Sequence, residues 1–185
     1  MDKVFGVGLG KTGTKTLKYA LMELGFKRAK KCKQKYTCLY RDGNYKKLIK
    51  IAEGANNVSD HPWALIYKEL AEWFPGAYFI LTVRKDVDAW YNSVMRHIAT
   101  RGMSALNFKN IFKMDIKKIN PTKLKNFYLK HNEDVQRYFN NHTRFETFCW
   151  ENGDGWEKLI KHLDMAEIGQ FFQKKPFVWE NKSKK

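Results

Sequence analysis

The sequence predicts an α/β fold, a three-layer sandwich in which helices cover both faces of a mainly parallel central sheet. Apolar runs of strand length alternate with segments of helical periodicity along the 185 residues, and that alternation is typical of parallel sheets. The run 77–83 is apolar nearly throughout, as expected for a strand buried on both faces. The third observation is a short strand, a glycine-rich turn and a helix within residues 4–17.

The glycine-rich turn combines the residue types that bind a phosphate or sulfate group. Glycines let the backbone turn tightly and approach an anion, and the following helix contributes the positive end of its dipole. Lysines add full charge, and threonines add hydroxyl donors. This P-loop-type strand-loop-helix contains Gly10, Lys11, Thr12, Gly13, Thr14, Lys15 and Thr16.

The first predicted helix follows this turn. Residues 17–24 carry apolar side chains at helical spacing, and Gly25 supplies the stop. The segment 36–40 is ambiguous and fits a strand. Residues 45–53 have the pattern of a short amphipathic helix.

The middle of the chain contains the clearest strand signals. Residues 57–60 have the pattern of a short buried strand, and a helix is expected to begin near Pro62, since proline is favoured in a first turn. Pro75 ends that helix. The strand 77–83 delivers Arg84 at its carboxyl end, where open α/β sheets bind ligands.

The second half of the chain contains segments with a clear helix or strand pattern and one segment without such a pattern. Residues 86–98, 120–139 and 156–163 have helical patterns, and 143–150 forms the last predicted strand. Residues 101–120 lack a clean period. They fit either a lid or acceptor-binding loop, or a helix whose pattern is obscured.

The composition favours one packed domain that spans residues 1–185. Apolar residues make up 43% of the chain, which excludes a disordered polymer. Lys and Arg number 35 against 19 acidic residues, so the formal charge is +16. That field favours anionic ligands, nucleic acid or an acidic membrane surface, although many of these lysines need only solvate the surface. The basic tail 173–185 is expected to be loosely held.

The cysteines and the hydropathy predict a cytoplasmic protein that does not contact a membrane. Cys32, Cys38 and Cys149 are odd in number and lack the spacing of a zinc or redox pair, so reduced thiols are expected. No apolar leader precedes the first strand, and no apolar run approaches the ~20 residues that span a bilayer.

The loop does not have the spacing of an ATP-binding Walker A motif, which is glycine, four residues, and Gly-Lys-Ser/Thr. Counting back from Gly10-Lys11-Thr12 places the first glycine at Phe5. Counting forward from Gly8 reaches Gly13, but Thr14 follows it instead of lysine. Both registers fail by one residue.

The loop does match the shorter phosphate loop of sulfotransferases, Pro-Lys-Ser/Thr-Gly-Thr after a strand, which here is Gly10-Lys11-Thr12-Gly13-Thr14. The chain therefore resembles the soluble sulfotransferases that use 3′-phosphoadenosine 5′-phosphosulfate (PAPS). The resemblance implies that this loop, Lys15 and Thr16 bind the 5′-phosphate, with Lys11 at the bridging oxygen. Many cytosolic members place a tryptophan where this chain has Thr16, so adenine packing must come from elsewhere.

Two more segments extend the resemblance. Sulfotransferases bind the 3′-phosphate of PAPS with an arginine at a strand end and a serine about two turns into the next helix, which implies roles for Arg84 and Ser93. The family more often places that serine where this chain has Asn92, so the resemblance makes Asn92 a cofactor-binding candidate as well. The segments 60–62 and 128–135 resemble the Asp-x-Pro and Tyr-x-x-His-Asn-x-x-Val motifs of one sulfotransferase group.

The chemistry implied by the resemblance is in-line sulfuryl transfer to a hydroxyl or amine, for which lysine replaces a metal. The acceptor must lose a proton, and the candidate bases are Asp60, which we favour, and His61. His97 and His131 are candidates to line an acceptor pocket. The structural alternative for Asp60 is a helix cap before Pro62, and for His97 and His131 it is a packed or surface histidine.

Two other functions compete with this interpretation. A P-loop kinase would share the strand-loop-helix, with Asp60 binding magnesium, but it needs the Walker spacing and leaves Arg84 and Ser93 unexplained. A nucleic-acid-binding domain is favoured only by the charge and the aromatic residues, and we regard it as the weaker alternative. The acceptor is expected to be a small molecule or carbohydrate, and the positive charge favours an anionic one, although it would equally attract the cofactor.

Overall fold

The computed structural model describes residues 2–29, 32–173 and 175–179, which fold around a parallel sheet. Its four strands have the order β2-β1-β3-β4, and every neighbouring pair is parallel. The strands are β1 Val4–Gly6, β2 Asn57–Ser59, β3 Tyr78–Thr82 and β4 Phe145–Phe148. The α/β class with a parallel central sheet is therefore confirmed.

Helices follow each strand and cover the sheet. They are α1 Thr14–Glu23, α2 Lys33–Arg41, α3 Tyr45–Glu53, α4 Tyr67–Trp73, α5 Val87–Arg101, α6 Ala105–Phe112, α7 Pro121–Tyr138, α8 Trp156–His162 and α9 Ala166–Gln173. Side-chain caps fix the starts of the two longest helices, because Asp86 accepts from the amide of Ala89 and Asn120 from that of Lys123. Within the described residues, no helix is long and apolar enough to cross a bilayer.

Strand β3 shows how the sequence divides the core into two layers. Phe79 and Leu81 belong to one buried cluster, which is covered by residues of α2, α3, α4 and α7. Tyr78 and Ile80 point to the opposite face, which is covered by α1 and α8. Because successive strand residues alternate between faces, an apolar run is what a strand between two helical layers requires. The three-layer arrangement is confirmed.

A third apolar cluster lies beyond the main sandwich and packs α5, α6 and α7 together. Its largest buried side chains include Trp90, Phe108 and Phe112. Leu9 from the loop after β1 also belongs to it. The cluster therefore connects the phosphate-loop candidate to the helices that follow β3.

The structure differs from the sequence-based prediction at residues 36–40, which are part of α2. Tyr36 is buried against Trp63, with ring centroids 5.4 Å apart. The Thr37 hydroxyl donates to Asn107 Oδ1 at 2.8 Å and so ties α2 to α6. Tertiary contacts thus override the strand propensity of this aromatic and β-branched segment.

Three smaller observations concern residues 101–120, the helix expected near Pro62, and helix α9. Residues 101–120 contain α6, so the helical interpretation of that segment is correct for 105–112. The helix expected near Pro62 begins as a 3-10 turn, Trp63–Leu65, and continues as α4. Helix α9 was not predicted. Of the basic tail, residue 174 and residues 180–185 lie outside the described residues, whereas Phe177 packs on Trp156.

Candidate functional site

The carboxyl ends of all four strands open into a cavity of about 380 Å³. The loop after β1 contributes Gly10 to Lys15, and β2 is followed by Asp60 and His61. Strand β3 is followed by Arg84, and β4 by Trp150 and Glu151. Parallel strands direct their carboxyl ends to one edge, so residues distant in sequence meet there.

The loop after β1 has the backbone geometry of an anion cradle. Lys11 and Gly13 have φ angles of 79° and 92°, in the left-handed region that turns the chain sharply. Gly13 is the N-cap residue of α1, and no described side chain caps that helix end. Because Gly13, Thr14 and Lys15 line the cavity, the first turn of α1 and the positive end of its dipole lie at the cavity wall.

Close approach requires glycine at two positions of this loop. A Cβ at Gly8 would lie 2.3 Å from the carbonyl oxygen of Thr82, and one at Gly13 would lie 2.2 Å from Cδ1 of Trp150. The loop is thus pressed against β3 on one side and against the turn after β4 on the other. Thr12 is fully buried, and its hydroxyl donates to Leu9 O at 2.7 Å and pairs with Thr82 Oγ1 at 2.6 Å. The Thr12 hydroxyl therefore stabilises the loop and connects it to β3.

The ammonium group of Lys11 is half-buried at the cavity wall. Burial is the main cause that lowers its pKa below the usual lysine range, and repulsion from Arg101 is the next. The Asp60 carboxylate opposes this shift, whereas Arg84 and Lys15 add to it. Lys11 therefore lies in a field of other cations, and a bound anion would relieve that repulsion.

Asp60 and His61 form a pair at the end of β2. The Asp60 carboxylate accepts from the His61 amide at 2.8 Å and lies 3.4 Å from His61 Nδ1. The amide of Gly10 donates to His61 Nε2 at 3.5 Å, so the ring proton belongs on Nδ1. The Asp60 side chain is 30% exposed and the His61 side chain only 2%. Asp60 is therefore the more accessible of the two.

Arg84 lies at the end of β3 and is held at both its backbone and its side chain. Its amide donates to the Tyr128 hydroxyl at 2.9 Å. Its guanidinium Nη2 donates to Glu151 Oε1 at 2.8 Å. Ser93, in the second turn of α5, lines the same cavity.

Helix α7 contacts the loop after β1 and the loop after β3. The rings of Trp90 and Tyr128 stack at 4.5 Å, and the Trp90 indole donates to Gly10 O at 3.0 Å. His131 Nε2 lies 2.8 Å from the Val7 carbonyl oxygen, so this nitrogen carries the proton. Burial lowers the pKa of His131. One helix thus fixes the phosphate-loop candidate and the Arg84 backbone together.

Aromatic side chains form the wall of the cavity beside the phosphate-loop candidate. Trp150 is 3% exposed, and its indole nitrogen has no hydrogen-bond partner among the described residues. Its ring packs on Phe177, with centroids 5.1 Å apart. Trp179, at the end of the described C-terminal segment, also lines the cavity.

A family model described as "Sulfotransferase domain" matches residues 3–110 and 99–185. The chain belongs to the sulfotransferase domain family. No curated protein matches the chain closely enough to add to this assignment. Family membership assigns the general chemistry, which is sulfuryl transfer.

Most residues predicted from the sulfotransferase resemblance lie together in the cavity. Three do not line it. Thr16 is buried behind the loop, Asn92 is exposed on α5 beside Ser93, and His131 packs against Val7. The positions of Asn92 and His131 do not support direct ligand contact, whereas Ser93 lines the cavity.

Several residues that line the cavity were not predicted from the sequence, among them Arg101, Trp150, Glu151 and Trp179. Arg101 is at the end of α5, two turns beyond Ser93, and helical periodicity would have found it. The other three come from the turn after β4 and from the C-terminal segment. Nothing in the local sequence indicates that they reach the phosphate-loop candidate.

The charges of the cavity suit an anion. Among the described lining residues, six are cationic and two are carboxylates. The cations are Lys11, Lys15, Lys18, Arg28, Arg84 and Arg101, and the carboxylates are Asp60 and Glu151. Within the described ranges, no group of three or more His, Cys, Asp or Glu side chains is arranged to bind a metal ion.

Proposed function

We propose that this protein transfers a sulfuryl group from PAPS to a hydroxyl or amine of a small-molecule or carbohydrate acceptor. The observation that carries the proposal is the single cavity shared by Lys11, Arg84 and Asp60. They come from the ends of β1, β3 and β2. A donor site and a proton acceptor therefore lie within one ligand's length of each other.

The residues around the cavity fit a nucleotide with two phosphate positions. The loop and the first-turn amides of α1 form one anion site, and Arg84 with Ser93 forms a second. Trp150 lines the cavity and has an unused buried N–H, and such a donor is expected to have a partner when a ligand is bound. Trp150 is thus our candidate for the adenine packing that the sequence did not reveal.

Lys11 is the proposed electrostatic catalyst. When bound, PAPS supplies an activated sulfuryl group whose departure leaves negative charge on a phosphate oxygen. A half-buried ammonium group stabilises such charge more strongly than an exposed one, because water screens it less. The surrounding cations increase the positive field at the same point.

Asp60 is the proposed general base, and His61 positions it. Asp60 accepts from the His61 amide and lies beside His61 Nδ1, while its carboxylate remains partly exposed in the cavity. His61 Nε2 already accepts from the Gly10 amide. The carboxylate is therefore better placed to take a proton from an acceptor in the cavity.

Calorimetric titration tests the donor assignment. We expect adenosine 3′,5′-bisphosphate, the product of PAPS, to bind without metal, and Arg84→Ala to weaken it by about 10- to 100-fold, the effect of a lost charged hydrogen bond. ATP with magnesium serves as the competing ligand. Binding of ATP with magnesium and not of the bisphosphate would contradict the proposal and favour a kinase.

A further inference from the structure

The carboxylate of Glu151 contacts the arginine proposed to bind the 3′-phosphate. Arg84 Nη2 donates to Glu151 Oε1 at 2.8 Å, and the side chains are 15% and 21% exposed. The pair is thus largely removed from water. Ion pairs in such a buried environment are stronger and more sensitive to geometry than ion pairs at the surface. Glu151 also lines the cavity.

Glu151 is anchored as well as paired. Its second oxygen, Oε2, accepts from the backbone amide of Lys85 at 3.1 Å. Glu151 lies in the 3-10 turn Trp150–Asn152 that follows β4, and Lys85 lies in the loop that follows β3. The carboxylate therefore connects the ends of two adjacent strands, β3 and β4. A group held at both oxygens is suited to position a neighbour.

An arginine side chain has many rotamers, and ordering it opposes ligand binding. The hydrogen bond to Glu151 engages Nη2 of Arg84. Because the guanidinium group is planar, this bond also fixes the orientation of its other N–H groups. The same carboxylate repels a phosphate by its charge. The two effects have opposite signs, so removal of Glu151 distinguishes them.

We infer that Glu151 is a positioning residue that orients Arg84 for the 3′-phosphate and thereby makes the site selective for nucleotides carrying that group. This inference rests on the proposed function. It adds a residue to the donor site that acts through Arg84 and contacts the ligand only indirectly. Its effect should depend on the 3′-phosphate alone.

The test compares two nucleotides that differ only in the 3′-phosphate. Dissociation constants of adenosine 3′,5′-bisphosphate and adenosine 5′-monophosphate are measured by calorimetry on the wild type, Glu151→Ala and Glu151→Gln. We expect the alanine variant to bind the bisphosphate about tenfold more weakly, with less than about a twofold change for the monophosphate. Glutamine retains an acceptor oxygen and should restore affinity to within about threefold.

The matched control is Glu133→Ala, which removes a glutamate paired with Arg137 on the exposed face of α7. This variant should leave both dissociation constants unchanged. If Glu151→Ala does not fold, Glu151→Asp replaces it, because the shorter side chain keeps the charge but withdraws it from Arg84. The same selective loss is then expected.

Two results would overturn the inference. Equal or tighter bisphosphate binding by Glu151→Ala, or by Glu151→Asp where that variant replaces it, would mean that repulsion dominates. An equal loss for both nucleotides would mean a general structural role. A wild type that does not prefer the bisphosphate contradicts the proposed function itself, whatever the variants do.

Discussion

Lys11 and Asp60 share an uncommon backbone conformation, with φ angles of 79° and 70°. Residues other than glycine, asparagine and aspartate rarely occupy this left-handed region. The conformation raises their free energy by about 1 kcal/mol or more. Such strain is often found at functional sites, where the surrounding structure holds it. It also decides which substitutions give interpretable results.

Asp60→Asn is the cleanest test of the general base. Asparagine tolerates positive φ as well as aspartate does, so the fold should persist while the proton acceptor is lost. We expect the transfer rate to fall by about 10²- to 10⁴-fold and bisphosphate affinity to change little. The rate is measured as release of the bisphosphate from PAPS with an acceptor found by screening. An unchanged rate would exclude Asp60 as the base.

Lys11→Met tests electrostatic stabilisation by the ammonium group. Methionine keeps most of the apolar side chain and removes the charge, so the rate of bisphosphate release from PAPS should fall by about 10²- to 10³-fold. Lys47→Met, on the exposed side of α3, is the matched control and should react at the wild-type rate. A Lys11 variant with normal turnover would show that other cations supply the stabilisation.

Among the individual residues of the candidate site, those that belong to local sequence motifs could be predicted, and those outside such motifs could not. The loop, Asp60, Arg84 and Ser93 follow strands or open helices in recognisable patterns. Trp150 reaches the site only because Gly13 lacks a Cβ and β4 lies next to β3. Both conditions depend on three-dimensional packing between residues distant in the chain.

Helix α7 is the element on which the precision of the site depends. Tyr128 and His131 are one turn apart and therefore lie on the same helix face. The first holds the Arg84 amide, and the second holds the Val7 carbonyl. The motif that carried the family resemblance in this helix thus acts as a scaffold for two loops.

The buried His131 makes stability depend on pH. Burial lowers its pKa in the folded protein, so the unfolded chain binds this proton more readily. Stability from this group is therefore present above the unfolded pKa of about 6.5 and falls as the pH drops below it, by up to about 1.4 kcal/mol per pH unit.

Urea unfolding at pH 7.5 and pH 5.5 measures this dependence. His131→Gln should reduce the difference between the two free energies of unfolding, since the amide does not titrate and can still donate a hydrogen bond. Burial also lowers the pKa of His162, so part of the difference should remain. A wild-type protein equally stable at both pH values would contradict the assignment of a buried neutral His131.

Element boundaries were predictable where periodicity and caps coincide. Strand β3 and helix α7 match the expected spans closely, because each has a continuous apolar pattern and a defined end. Helix α2 was not predicted because its alternating aromatic residues also suit a strand. Its contacts with α6 and Trp63 stabilise the helical conformation.

The whole molecule carries a formal charge of +16, and the cavity shares this sign. Long-range attraction should therefore increase the association rate of the anionic bisphosphate, and salt should screen it. We expect the rate constant, measured by stopped-flow tryptophan fluorescence, to fall several-fold between low salt and about 0.3 M NaCl. Uncharged adenosine is the control. Equal salt dependence for both ligands would contradict electrostatic steering.

The order of strands could not be derived from the sequence, although the fold class could. Alternating strands and helices require a parallel sheet, but they do not state which strands are neighbours. The observed order puts β1 in the interior, between β2 and β3. This arrangement brings the phosphate-loop candidate between Asp60 on one side and Arg84 on the other.

The same strand order has a consequence for how the protein is made. During synthesis, β1, β2 and β3, whose following loops carry Lys11, Asp60 and Arg84, leave the ribosome before β4. Trp150 and Glu151 join only after β4 pairs with β3. A nascent chain halted before β4 would present a basic loop with an incomplete wall and an unpaired strand edge, where intermolecular pairing begins. Chaperones that shield such edges should therefore act on this chain until β4 has emerged.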